Sequence, residues 1–102
     1  MAFTVDDLMA LEDGDGDEQT ILDALQRGIN DGTVWRLSGS AGRSAMAALA
    51  SGAVMLGPRE VRDAYGTPVP SRDQVKPGTK GSFDLVVQTF GREYAERLAS
   101  LP

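Results

Sequence analysis

The chain has 102 residues, of which 41% are hydrophobic and 25% charged, proportions that suit one soluble globular domain. It contains no cysteine and no histidine, which excludes disulfides, thiolate nucleophiles, imidazole bases and the usual zinc and copper ligands. The net charge of −5 is unevenly spread: residues 1–26 carry eight acids and no base, whereas residues 27–102 carry ten bases and seven acids. The acidic end therefore either folds against the basic middle or is offered to a basic partner.

Two helices are predicted in the acidic end. Thr4 is suited to cap a first helix over residues 4–12, and residues 13–16, Asp-Gly-Asp-Gly, have the composition of a loop. Asp17 then caps a second helix with an apolar stripe over residues 21–29. Gly32 suits the left-handed position that ends it.

The next segment predicts a helical turn and a third helix. Thr33 starts the turn, which runs to Leu37, and a short strand is the alternative there. The third helix starts at Ser40 or Ala41, and Gly52 is suited to end it. Strand signals are weak throughout, and residues 53–56 are the only strand candidate of note.

The C-terminal part carries one apolar stripe from Phe83 to Leu101, at spacings of three and four, after Ser82 as the cap. The stripe stays in phase across Gly91. Residues 82–100 therefore form either one helix that tolerates a glycine or two helices with a slight break. The predicted fold is mainly α: a single small domain, residues 1–102, of four or five short helices with a long irregular loop.

That loop is the Pro/Gly-rich segment 57–81, which holds four of the five prolines and four glycines. A single helical turn is expected around residues 59–64. Irregular segments of this length are uncommon in compact domains unless they are functional or mobile. The segment therefore carries more functional weight than the helices.

Two motifs that suggest chemistry fail on inspection. A phosphate-binding loop aligned on Gly42-Arg43-Ser44 has Leu37 at its first glycine and Arg43 at its lysine. A calcium loop counted from Asp13 or from Asp15 lacks both the glycine at its sixth position and the glutamate at its twelfth. No pair of acids lies in an apolar run that raises a pKa. We therefore expect no enzyme activity, no metal site and no cofactor.

The remaining signals indicate binding. The contact surface is predicted at the turn 39–44 together with the loop 57–81, because tryptophan and arginine are favoured as interface anchors. The candidate residues are Trp35, Arg36, Gly39, Gly42, Arg43, Arg72 and Lys80. Trp35 is alternatively a core residue, and Arg43 and Arg72 alternatively form ion pairs with the acidic end. The bases of residues 27–80 are too spread out to favour nucleic-acid binding.

Distinctive residues in both halves of the chain carry a resemblance. The first half contains Leu25-Gln26-Arg27, Ile29-Asn30, Gly32, Trp35-Arg36-Leu37, Gly39-Ser40 and Gly42-Arg43. The second contains Leu56-Gly57, Arg62-Asp63, Gly66, Pro70-Ser71-Arg72 and the run Gly78-Thr79-Lys80-Gly81-Ser82. Over residues 4–100 the chain is similar to small uncharacterised proteins of actinobacterial phages, although it has Ala64 where that group tends to have an aromatic residue.

The resemblance implies a phage accessory protein made inside the host, in the host cytoplasm, and implies no activity. The first hypothesis is a non-enzymatic protein that binds a host or phage macromolecule, in particular a protein. The second is a minor virion or assembly component that acts as a homo-oligomer through its C-terminal stripe. The third is a nucleic-acid-associated regulator. The acidic start and the lack of a long apolar run predict neither secretion nor membrane insertion.

Overall fold

The chain folds as five helices and one small hairpin in a computed structural model, which describes residues 3–13, 17–37 and 40–102. The helices are α1 (Val5–Asp13), α2 (Glu18–Asp31), α3 (Ser40–Ser51), α4 (Phe83–Phe90) and α5 (Arg92–Ala99). A 3-10 helix (Thr33–Trp35) lies between α2 and α3, where the sequence predicts a helical turn. The mainly α prediction of a small single domain is confirmed. The acidic loop predicted at 13–16 falls largely on residues 14–16, outside the described residues.

Four predicted helix boundaries are confirmed, and each is fixed by a local hydrogen bond. The hydroxyl of Thr4 accepts from the amide of Asp7 at 3.2 Å, and the Asp7 carboxylate accepts from the amide of Thr4 at 3.1 Å. Asp17 and Ser82 each accept from the amide three residues on, at 2.7 and 3.0 Å. Gly32 ends α2 in the left-handed conformation, with φ at 87°.

The main core lies between α2, α3 and the segment that follows α3. Its buried side chains are Leu25, Ile29, Val34, Ala45, Leu49, Val54 and Leu56, together with Ala48 and Ala53. Gly28 allows the 3-10 helix to approach α2, because a Cβ at Gly28 would overlap the side chain of Val34. The apolar stripe of α2 therefore packs in the same core as Val34 of the 3-10 helix, which directly follows α2 in the sequence.

A second core joins α4 and α5 to Met55. Val86, Ala95 and Leu98 are buried with it, and Phe83, Val87, Tyr94 and Leu101 pack around them. Of the two C-terminal alternatives, the structure has two helices. Gly91 separates them at φ 96° and ψ 162°, a conformation that is essentially restricted to glycine.

The strand candidate at residues 53–56 was wrong: these residues are buried but belong to no strand. The backbone of Met55 is paired with a side chain instead. Gln26, fully buried, donates to the carbonyl of Met55 and accepts from its amide, both at 2.9 Å. Gln26 also donates to Asn30, which donates to the carbonyls of Leu101 and Pro102. This buried pair on α2 ties three segments of the chain together.

The helical turn expected around residues 59–64 was also wrong, because a two-stranded hairpin lies there. β1 (Val61–Arg62) pairs antiparallel with β2 (Pro68–Val69) in the register Val61–Val69. One carboxylate oxygen of Asp63 accepts from the amides of Tyr65 and Thr67, both at 2.9 Å, and so fixes the turn between the strands. The rest of segment 57–81 has no helix or strand.

Two ion pairs connect the acidic end to the rest of the described chain. Asp7 lies 3.6 Å from Arg27, and Asp23 lies 2.9 Å from Arg97. Both arginines lie outside the 57–81 segment. None of the helices within residues 3–13, 17–37 and 40–102 has the length and apolar character that crossing a membrane requires.

Candidate binding groove

An apolar groove of about 370 Å³ lies between the 3-10 helix, α3 and the segment 57–81. Its apolar lining consists of Trp35, Met46, Leu49, Leu56, Pro68, Val69, Pro70 and Val75, and its charged lining consists of Asp63 and Lys80. We call this surface the Trp35 groove. Its lining includes residues of the predicted 57–81 loop but none of residues 40–44 from the predicted turn.

The floor of the groove comes from one face of α3. Met46 and Leu49 are three residues apart and therefore share a helix face. Leu49 is buried in the core, whereas Met46 remains 45% exposed. The apolar stripe of α3 thus continues from the core into the groove. Methionine is flexible and adapts to irregular contact surfaces.

Trp35 forms one wall of the groove. Its ring is partly buried and packs against the main core, near Val69 and Val75. The indole nitrogen is buried and makes no hydrogen bond within the part of the chain that the structure describes. A buried donor without an acceptor costs about 1–3 kcal/mol. Such a group in a native protein calls for an explanation beyond stability.

The charged groups at the groove differ in how they are engaged. One oxygen of Asp63 is occupied by the hairpin turn. Lys80 is exposed, and Arg43 is exposed on α3, three residues before Met46 and on the same helix face. One cation, Lys80, and one carboxylate, Asp63, are therefore the charged groups in the lining of an otherwise apolar groove.

The comparisons with known proteins identify a family. A family model described as a domain of unknown function, DUF7417, matches residues 1–64, more than half of the chain. The chain belongs to the DUF7417 family. No curated protein and no solved structure matches it significantly. In this DUF7417 protein the matched residues include the 3-10 helix, α3 and β1, whereas β2 and Lys80 lie beyond the match.

The structure distributes the predicted site residues of the DUF7417 chain over several places. Trp35 and Lys80 line the same groove, whereas Arg43 is exposed on α3 and is not part of the lining. Gly42 lies in α3, where the contact that an added Cβ would make with another described element is with the Val34 carbonyl oxygen, at 3.8 Å. Arg36 is exposed but donates to the carbonyl of Asp31 at 3.3 Å. Gly39 lies outside the described residues.

Arg72 lies apart from the groove, in the buried polar network of the DUF7417 chain. Its Nε donates to the carbonyl of Leu56 at 2.8 Å, and its Nη2 donates to Asn30 at 3.3 Å. Burial lowers the pKa of Arg72, and the nearby carboxylate of Asp73 opposes that shift. Among the described residues its partners are thus a carbonyl and an amide rather than the acidic end.

Sequence reasoning missed Met46, Val69 and Val75 as groove residues. Met46 is indistinguishable from a core residue in the α3 stripe, because periodicity shows which face is apolar but not how far a neighbour covers it. Val69 and Val75 belong to an irregular segment without periodicity. Among the described residues, no group of three or more His, Cys, Asp or Glu side chains is placed to hold a metal ion.

Proposed function

We propose that this DUF7417 protein is a non-enzymatic accessory protein of an actinobacterial phage that binds a host or phage protein through the Trp35 groove. The observation that supports this most is the apolar groove itself, whose lining includes Trp35 and the 45% exposed Met46. A volume of about 370 Å³ lies within the range of ligand pockets in proteins.

The groove favours a partner segment in which acidic residues flank an apolar side chain. An apolar side chain would remove Met46 and the groove walls from water, which contributes about 25 cal/mol per Å² buried. Lys80 and Arg43 would face the acids of the partner, which speeds encounter and fixes register more than it adds affinity.

Capture from an actinobacterial host extract tests the proposal with matched variants. Met46→Lys places a charge in the groove, and Met9→Lys makes the same change on α1, where the methionine is 54% exposed and does not line the groove. We expect Met46→Lys to reduce capture of a specific protein at least about tenfold, and Met9→Lys to leave it unchanged. Lys80→Glu should also reduce capture. Circular dichroism checks that all variants keep their helices.

Equal capture by the wild type and Met46→Lys would show that the groove is not the contact surface. The homo-oligomer and nucleic-acid hypotheses stay predictions. The mass in solution tests the former, and salt-dependent retention of DNA or RNA tests the latter. Val86 and Leu98 of the C-terminal stripe are fully buried within the chain. Fewer residues of the stripe are therefore free for contact between subunits.

A further inference from the structure

A second recess lies where the start of α2 and the end of α3 meet the helix pair α4–α5. Its floor is aromatic and apolar, formed by Phe90 and Tyr94 with Leu22 and Ala53, and its volume is about 700 Å³. Asp17, Glu18, Gln19 and Ser51 complete this lining. On the α5 side an adjoining depression shares the two aromatic residues and adds Glu93, Glu96 and Arg97. We call the two together the Phe90 surface.

The aromatic pair consists of Tyr94, which is fixed by a hydrogen bond, and Phe90, which packs against it. The Tyr94 hydroxyl donates to the carbonyl of Ala53 at 2.8 Å, which fixes that ring against the end of α3. The ring of Phe90 lies 5.2 Å from that of Tyr94, centroid to centroid, at an interplanar angle of 43°. Phe90 is nevertheless 52% exposed. The surface therefore presents one half-open aromatic ring that rests on a fixed neighbour.

The rim of the surface is strongly negative. Glu18, Glu93 and Glu96 are exposed carboxylates, and Asp17 adds a fourth while it caps α2. Among the residues that the structure describes, Arg97 is the one cation that lines the surface, and it already forms an ion pair. Its guanidinium donates two hydrogen bonds to the carboxylate of Asp23, one to each oxygen, at 2.9 and 3.2 Å. Hydrogen bonding to Asp23 raises the pKa of Arg97.

Neighbouring arginines show which group suits these rings. Arg97 lies over Tyr94 at 5.6 Å, and Arg92 lies over Phe83 at 5.9 Å. Within the described residues no guanidinium lies over Phe90. An aromatic face attracts a guanidinium, and adjacent carboxylates strengthen that preference by pairing with the same group.

We propose that the Phe90 surface binds an arginine-bearing segment of another protein, with a guanidinium over Phe90 and paired with Glu93 or Glu96. Charge complementarity selects this occupant, because an apolar floor with a negative rim rejects acidic and purely apolar segments. Arginine is favoured over lysine, since its planar guanidinium can stack on an aromatic ring and at the same time donate two hydrogen bonds to a carboxylate. This second contact is independent of the Trp35 groove.

Fluorescence anisotropy with a labelled peptide of alternating arginine, leucine and glycine tests the proposal. We expect saturable binding, weaker binding of the lysine counterpart and no binding of the glutamate counterpart. Phe90→Ala should weaken binding of the arginine peptide about threefold, the scale of an exposed cation–π contact. The double variant Glu93→Gln with Glu96→Gln should weaken it about fivefold or more.

A matched double variant separates a site from the general negative charge. Asp73→Asn with Asp84→Asn removes two exposed carboxylates that line a different recess, one of them in the first turn of α4 as Glu93 is in α5. We expect this variant to bind the peptide within about twofold of the wild type, because exposed charges remote from the site are screened. Equal losses in both double variants would overturn the proposal.

Self-association gives a further decisive outcome. If sedimentation shows that the chain forms oligomers that Glu93→Gln with Glu96→Gln dissociates, the occupant is a second copy and the proposal is overturned. A monomer is expected. Met46→Lys should leave peptide binding unchanged, so that failure of this proposal and failure of the Trp35 groove are distinguishable. Unchanged binding by Phe90→Ala would exclude the aromatic contact and overturn the proposal.

Discussion

The side-chain amide of Gln26 is paired with the backbone of Met55 through two hydrogen bonds of 2.9 Å each, one in each direction. One N–H of a primary amide points the same way as its C=O, so the Gln26 side chain pairs with both the amide and the carbonyl of one residue, as a neighbouring strand would. The second N–H of the same amide donates to Asn30. Both N–H groups of a side chain that is 0% exposed are thereby satisfied.

Substitution of Gln26 by leucine is expected to lower the free energy of unfolding by about 2–4 kcal/mol. The leucine is similar in size but leaves the amide and the carbonyl of Met55 unpaired in the core, at about 1–3 kcal/mol for each buried group. Urea unfolding measures the change. Gln88→Leu, the same substitution at an exposed position of α4, should stay within about 0.5 kcal/mol of the wild type.

Two glycine-to-alanine substitutions are expected to have opposite signs. Helix propensity alone predicts that alanine stabilises α2 at position 28 and α3 at position 42, by up to about 1 kcal/mol. At Gly28 the new methyl group would overlap the side chain of Val34, which costs about 1–3 kcal/mol, so Gly28→Ala should destabilise. Gly42→Ala should stabilise, because its nearest contact is at 3.8 Å. Thermal unfolding of both variants measures the two signs. A stabilised Gly28→Ala would contradict the close approach of the Val34 side chain to Gly28.

The same contrast shows how far the sequence determines the fold. Helix ends were predictable at Asp17, Gly32 and Ser82 because each depends on a hydrogen bond within four residues. The partner of the Met55 backbone was not predictable, because it is the side chain of Gln26, 29 residues earlier. The hairpin at 61–69 was missed because two-residue strands carry no alternating pattern.

The candidate groove was predictable in outline only. Trp35 and Lys80 follow from the preference of interfaces for anchoring residues and from the length of the irregular segment. Their meeting in one groove depends on long-range packing, which composition does not encode. Arg72 shows the converse: its sequence context suggests a contact residue, and the structure uses it to pair with Leu56 and Asn30.

Arg72→Ala is therefore expected to destabilise the protein, by about 1.5–3 kcal/mol, because it removes two charge-assisted hydrogen bonds in a partly buried network. Arg43→Ala removes an exposed arginine and should change stability by less than about 0.5 kcal/mol. Urea unfolding of the two variants measures both effects. Equal stabilities would show that the hydrogen bonds of Arg72 contribute nothing net, and loss of partner capture in Arg72→Ala would then report a direct contact.

The Asp23–Arg97 pair is expected to make stability depend on pH. Burial raises the pKa of Asp23, but hydrogen bonds from Arg97 and Gln19 and the charges of Arg97 and Arg27 outweigh it, so the net shift is below the ordinary 3.8. A lowered pKa in the folded state stabilises above the ordinary value, and this contribution is lost as the pH falls through the folded pKa.

Asp23→Asn should accordingly cost about 0.5–1 kcal/mol at neutral pH, the range of a partly exposed ion pair. The difference from the wild type should shrink below about pH 4, where the wild-type carboxylate takes up its proton. Urea unfolding across the acid range measures it. In an Arg97→Gln background, Asp23→Asn should cost much less at neutral pH, because burial then opposes the charged form with fewer compensating contacts. A difference that keeps its full size in acid, or in that background, would show that Arg97 does not stabilise the Asp23 carboxylate.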